Sequence, residues 1–284
     1  MAADKKQKLE MTVAALQKKW GTRAIRRLRT KEQRIVIPHI PTGFPALDDA
    51  LEIGGLPRGR ISEIVGIPTS GMATIALRTI ANAQKEASHA IYIDPAQTFD
   101  PEYAARCGLA LERLLLVRPY NMHQSMAILQ DFIKNLGPDS DGIPILIFDT
   151  PINLLTDSKQ LQHLATTLDR IAVPLSQSIC ALLFLVSLPN QSNSTMKSYP
   201  PGSTLPHHAA VRLFVKRERW LYKQFDIHGY QAQVVIAKNK FGPGGRQVSI
   251  AITLGKPDEC STGDADERST GVANERSTSE DGGF

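Results

Sequence analysis

The chain has 284 residues, of which 42% are hydrophobic and 21% charged; that fills one large core or two small ones and excludes collagen-like, wholly disordered and disulfide-stapled designs. The net charge of +5 conceals a gradient, because residues 1–37 carry 11 Lys and Arg against 3 acids whereas residues 255–284 carry 3 against 8. A basic arm on a near-neutral body is either a solvated face or a contact with a polyanion such as nucleic acid, and charge alone leaves both open.

The longest apolar stretches, such as 179–188, fall short of the roughly 20 residues a bilayer needs, and the first ten residues are too polar for a signal peptide. A soluble intracellular protein without membrane association is expected. Cys107, Cys180 and Cys260 are too far apart for a C-x-x-C site, so reduced structural thiols are expected. None of the seven histidines, His207 and His208 included, has a partner at ligand spacing, and no metal site is expected.

In chain order, Leu9, Val13, Leu16 and Trp20 recur at helical spacing over residues 4–20, which Gly21 ends. Ile35 and Ile37, before Pro38, read as a short strand. The apolar stripe of such a helix needs a docking surface, for which a second copy of the chain is one candidate. Arg23, Arg26, Arg27 and Arg29 make the arm basic. From Pro41, the runs 61–65, 90–93, 114–117, 145–148 and 182–186 alternate with helical patterns such as 73–87, which predicts a parallel α/β sheet. The later runs 211–215, 233–236 and 248–254 follow closely and read as an antiparallel continuation of that sheet. Residues 189–208 hold four prolines and four serines and read as a long polar loop that no core accepts. The chain divides into an arm (1–40), a core (41–256) and a polar tail (257–284). Units starting at Glu259, Glu267 and Glu275 repeat every eight residues in the tail, with too little apolar surface to fold.

The run 61–65 leads into Gly66-Ile67-Pro68-Thr69-Ser70-Gly71-Met72-Ala73-Thr74 and a helix, the context of a phosphate-binding loop. The glycine spacing fits. Met72 and Ala73, however, stand where such a loop carries a lysine for the β and γ phosphates and a hydroxyl for Mg²⁺. Asp149 closes the run 145–148 as a Walker B carboxylate would, although a helix cap is an alternative reading.

Residues 40–48 (Ile-Pro-Thr-Gly-Phe-Pro-Ala-Leu-Asp), 54–61 (Gly-Gly-Leu-Pro-Arg-Gly-Arg-Ile), 100–104 (Asp-Pro-Glu-Tyr-Ala) and 238–240 (Lys-Asn-Lys) resemble the bacterial RecA recombinase family, in order and at similar separations. The resemblance spans about residues 4–255 and implies a RecA-like α/β core with an N-terminal arm that packs on a neighbouring subunit. It also implies a cytoplasmic, nucleoid-associated bacterial protein. It assigns the loop positions Gly66, Thr69, Ser70, Gly71, Met72, Ala73 and Thr74 to nucleotide, Asp149 to the Walker B site, and Asp100 with Tyr103 to the adenine. It assigns Lys238 and Lys240 to a γ phosphate across a subunit interface, and residues 189–208 to a second DNA-binding loop. Ala96 stands where relatives place the glutamate that activates water, and Leu188 where they place a phosphate-sensing glutamine. The first DNA-binding loop is shortened, and the C-terminal domain of the family is not evident.

With four chemical positions apolar, no catalytic residue is assigned and ATP hydrolysis is not expected. ATP binding without hydrolysis stays open, with magnesium deprived of its loop ligand. The resemblance then implies an ATPase-deficient accessory of DNA repair, similar to the ImuA class, which works with a translesion polymerase complex after DNA damage. An authentic ATP-dependent recombinase forming filaments and a RecA-fold scaffold that binds no DNA are the alternatives. Candidates for contact with single-stranded DNA are Lys197, Tyr199, Arg212, Lys216, Arg217 and Arg219, with the 216–220 stretch equally readable as a charged strand edge.

Overall fold

The computed structural model describes residues 2–22, 24–25, 36–86, 89–136, 142–150, 157–188, 203–223 and 226–253. The chain divides between Val36 and Ile37 into two compact units. The first contains helix α1 (Ala2–Trp20), whose Leu9, Leu16 and Trp20 are exposed. No helix among the described residues is long and apolar enough to cross a membrane.

The second unit begins with β1 (His39–Ile40), α2 (Pro45–Ala50) and β2 (Leu56–Pro57). The strand expected at Ile35 and Ile37 is not formed at Ile37, and Ile35 lies outside the described residues. Pro38 has no amide to give a ladder, so pairing starts at His39, which lies antiparallel to Pro57. Gly55 stays side-chain-free because a Cβ there would fall 2.1 Å from the Ile40 carbonyl oxygen.

The body alternates β3 (Ile61–Gly66), α3 (Met72–Glu86), β4 (Ala90–Ile93), α4 (Pro101–Arg106), β5 (Leu114–Val117), α5 (Met122–Asn135), β6 (Ile145–Thr150), α6 (Ser158–Gln177) and β7 (Ala181–Ser187). It continues with α7 (Leu205–His208), β8 (Val211–Lys223), β9 (Asp226–Asn239) and β10 (Gln247–Thr253). Eight strands form one sheet in the order β10-β9-β8-β3-β7-β6-β4-β5. Every pairing from β8 to β5 is parallel, and β8, β9 and β10 continue it antiparallel. The fold is therefore α/β with a mainly parallel sheet, as the run pattern predicts.

Parallel strands read as unbroken apolar runs because both faces are covered. Ile64, Ile147, Leu183 and Leu185 face one cluster, with α3. Val65, Leu146, Phe148, Phe184 and Val186 face the other, with α5 and α6. Residues 205–208 correct the reading of 189–208 as wholly loop. Pro206 sits at the start of a helical turn, where its missing amide costs nothing, and Leu205 is fully buried.

One charge pair crosses the sheet. Glu63 on β3 and Arg212 on β8 are register partners, and the Arg212 Nε donates to Glu63 at 2.6 Å. The glutamate is fully buried. Desolvation raises its carboxyl to about 7, opposed by the Arg212 guanidinium.

Candidate functional site

Sheets of this kind bind ligands beyond the carboxyl ends of their strands, and here that edge holds a cavity of about 840 Å³. Its floor is the β3–α3 loop. Gly66 ends β3 where a Cβ would strike both the Ser70 hydroxyl and the Val215 carbonyl. The chain then turns through Thr69 at φ 64° and Gly71 at φ 110° to start α3. Thr69, Gly71, Met72, Ala73 and Thr74 line the cavity. Gly66 and Ser70 are buried beneath it.

Asp100, Tyr103 and Asp149 complete the set that the resemblance assigns, and all three line the same cavity. Asp100 caps α4, accepting from the amides of Glu102 and Tyr103. The Tyr103 hydroxyl lies 2.5 Å from that of Thr74, and burial pushes its phenol up to about 12. Asp149 accepts from the Tyr92 hydroxyl at 2.9 Å and from the Thr98 hydroxyl at 3.1 Å. Burial raises the Asp149 carboxyl; these two donors oppose the shift. Ala96 and Leu188 also line the cavity, so the four positions that became apolar in the sequence share one space.

The residues present do not fit a magnesium-bound triphosphate. Met72 brings a buried thioether where a cation belongs, and Ala73 brings no oxygen. The next hydroxyl, that of Thr74, is engaged by Tyr103. Asp149 is held by two protein hydroxyls. Lys238 and Lys240 do not line the cavity of their own chain. The Lys238 ammonium donates to the Pro206 and His207 carbonyls, and burial lowers its pKa.

The roof is what sequence reading missed. β3 ends at Gly66, opposite Val215, but β8 runs on to Lys223 and so overhangs the loop. Between Arg217 and Arg219 the β8–β9 register slips by one residue, as in a β-bulge, which re-aims side chains. Arg217 pairs with Ala232 and Trp220 with Tyr230. Those partners are two apart on β9, so Arg217 and Trp220 share a face despite a spacing of three. Both line the cavity, with Tyr230. The Arg217 guanidinium lies 4.4 Å from the Trp220 ring centroid and reaches to 3.4 Å from the Thr69 hydroxyl.

The DNA candidates fare differently. Arg212 is half-buried and pairs with buried Glu63, its register partner on β3. Arg217 turns to the cavity. Lys216 and Arg219 are exposed on β8 beyond the end of β3, and Arg219 donates to Gln231 at 2.6 Å. Lys197, Tyr199, Arg23, Arg26, Arg27, Arg29 and the tail lie outside the described residues. Among the described residues no group of three or more His, Cys, Asp or Glu could hold a metal.

The family model of the RecA N-terminal domain matches residues 7–257. The chain is 30% identical over 271 residues to the RecA protein of Sinorhizobium fredii, covering 90% of this chain and 73% of that protein. It is 29% identical over 273 residues to the RecA protein of Symbiobacterium thermophilum, covering 90% and 77%. Against the RecA protein of Brucella anthropi it is 30% identical over 270 residues, covering 89% and 73%.

Proposed function

The chain belongs to the RecA family, and from that premise we propose that it serves DNA repair and recombination as a member that no longer turns over ATP. Its role is that of an accessory, on single-stranded DNA or within a damage-response complex with a translesion polymerase, as in the ImuA class. The observation that carries the reading is the cavity itself, which keeps the walls of a nucleotide site while Met72, Ala73, Ala96 and Leu188 replace cation, metal ligand, base and sensor. Phosphoryl transfer is accelerated by charge neutralisation, a bound metal ion and base catalysis, and Met72, Ala73 and Ala96 supply none of these at the positions the family uses for them. Function therefore passes to surfaces. α1 offers Leu9, Leu16 and Trp20 for self-association or for a partner protein, while Lys216 and Arg219 offer charge for a phosphate backbone.

The test is fluorescence anisotropy of a labelled single-stranded oligonucleotide with the purified chain, with and without ATP and Mg²⁺, across a salt series. The expected result is weak binding, weakened further by salt as phosphate contacts release counterions, and indifferent to ATP. Tight binding that strengthens with ATP would overturn the reading in favour of a filament-forming recombinase. Binding absent at every salt concentration would leave the arm and a protein partner as the seat of function.

A further inference from the structure

The cavity over the loop has lost what holds a metal-bound triphosphate and has kept what holds a ring. We propose that it takes a planar aromatic ligand carrying one compact anionic group, of the nucleoside monophosphate class, without a metal ion, and that Arg217 meets the anion. The inference rests on the reading that nucleotide turnover has been lost.

Three observations carry it. The first is composition: Tyr92, Phe99, Tyr103, Trp220 and Tyr230 supply aromatic surface around a volume of about 840 Å³, within the range of small-molecule sites. The second is charge. Among the described lining residues Arg217 is the one Lys or Arg, against Asp100 and Asp149. A triphosphate would bring several charges to a site whose described lining holds one cation and two carboxylates, whereas a single phosphate group needs one partner. Both carboxylates are turned to protein donors, Asp100 to the first amides of α4 and Asp149 to Tyr92 and Thr98.

The third is the state of Arg217. No carboxylate among the described residues pairs with it. It lies over the Trp220 ring and reaches Thr69, the loop residue that precedes buried Ser70. A guanidinium carries five donors in a rigid fork and binds phosphate in two-pronged fashion, and a cation held over an indole face keeps its N–H donors for an anion. The bulge at 217–219 brings this cation and this ring to one face.

The experiment is equilibrium binding of AMP, adenosine and ATP to the full chain without DNA, each in EDTA and in Mg²⁺. AMP is expected to bind saturably in EDTA with no gain from Mg²⁺, and adenosine tenfold or more weaker. Arg217→Ala is expected to weaken AMP tenfold or more while leaving adenosine unchanged, and Arg217→Lys to retain part of the difference. Circular dichroism checks that both variants fold, as an exposed strand extension should allow. The proposal is overturned if AMP binds no better than adenosine, if Arg217→Ala binds AMP like the parent, or if ATP with Mg²⁺ binds tenfold tighter than AMP. Phosphate release from ATP is a separate readout: if seen, it overturns the reading of lost turnover and this inference with it, whereas failed AMP binding without hydrolysis overturns this inference alone.

Discussion

Replacing Arg212 with Met should destabilise the protein by an amount set by pH. Glu63 is fully buried and its carboxyl titrates at about 7 in the fold against an ordinary 4.5. The folded state therefore binds this proton more tightly than the unfolded chain, so this group's contribution to stability is full below pH 4.5, falls as pH rises and levels off above 7. Ionising Glu63 in the fold costs about 3 kcal/mol relative to solution, at about 1.4 kcal/mol per unit, even with Arg212 beside it. Taking the guanidinium away removes the influence that lowers the value and leaves burial, which raises it. At pH 8 the variant must either bury an unpaired carboxylate or bind a proton against the bulk, and the expected loss is about 3–5 kcal/mol. At pH 5 Glu63 is protonated in both folded proteins, so the loss should shrink to about 1 kcal/mol for one hydrogen bond, with a smaller part from the Arg212 contact on the Phe214 ring. Urea unfolding followed by far-ultraviolet circular dichroism at the two pH values reads the difference. Equal losses at pH 5 and pH 8, or a loss under about 1 kcal/mol at pH 8, would refute the argument. The double variant E63Q/R212M should recover most of the pH 8 loss, because no buried charge is left alone.

Other perturbations test the site. Met72→Lys alone should release no phosphate from ATP in a coupled assay, with or without DNA, because Ala73 and Ala96 remain; measurable DNA-dependent turnover would contradict the account of the cavity. Gly71→Ala should lower stability by about 1–3 kcal/mol, since its φ is 110° and the new methyl would lie 2.5 Å from the Ile252 Cδ1; a melting temperature equal to the parent's would refute it. Tyr103→Phe should cost about 1 kcal/mol in chemical denaturation through loss of the contact with Thr74. Cys180, fully buried with its thiol raised to about 12, should stay unmodified by a thiol reagent at pH 8 until the protein unfolds, as mass mapping of the labelled residues would report.

How much was legible depended on whether the signal was local. β4 and β5 fall where the apolar runs place them, and β3, β6 and β7 extend the runs by one or two residues, because a two-faced buried strand announces itself through composition alone. The tight turn between β3 and α3 was legible from glycine spacing and context. β8 was not: alternation marks 211–215 only, whereas the strand continues through Lys216, Glu218 and Arg219 to Lys223. Those charged residues suit a stretch with no paired strand on the β3 side among the described residues, and composition there says nothing of length. The placement of Arg217 over the loop depends on a one-residue slip against β9, a property of the pairing that neither strand carries by itself. The ion pair of Arg212 was not legible for a related reason, since its partner Glu63 lies 149 residues earlier and the β3–β8 register joins them.

The overhang of β8 also divides the cavity by rigidity. The loop grows from β3, which is paired on both sides by β7 and β8, so opening it means breaking the centre of the sheet. Arg217 and Trp220 hang on the part of β8 beyond Val215, which among the described residues is paired to β9 alone, and beyond Gly229 the hairpin loses β10 as well. Amide exchange should accordingly be slow across Val211–Val215 and grow faster towards Lys223, because local opening there breaks fewer cooperative contacts. A ligand held between the two would then have its residence time governed by the fraying of a hairpin, while its identity is decided by a floor that scarcely moves.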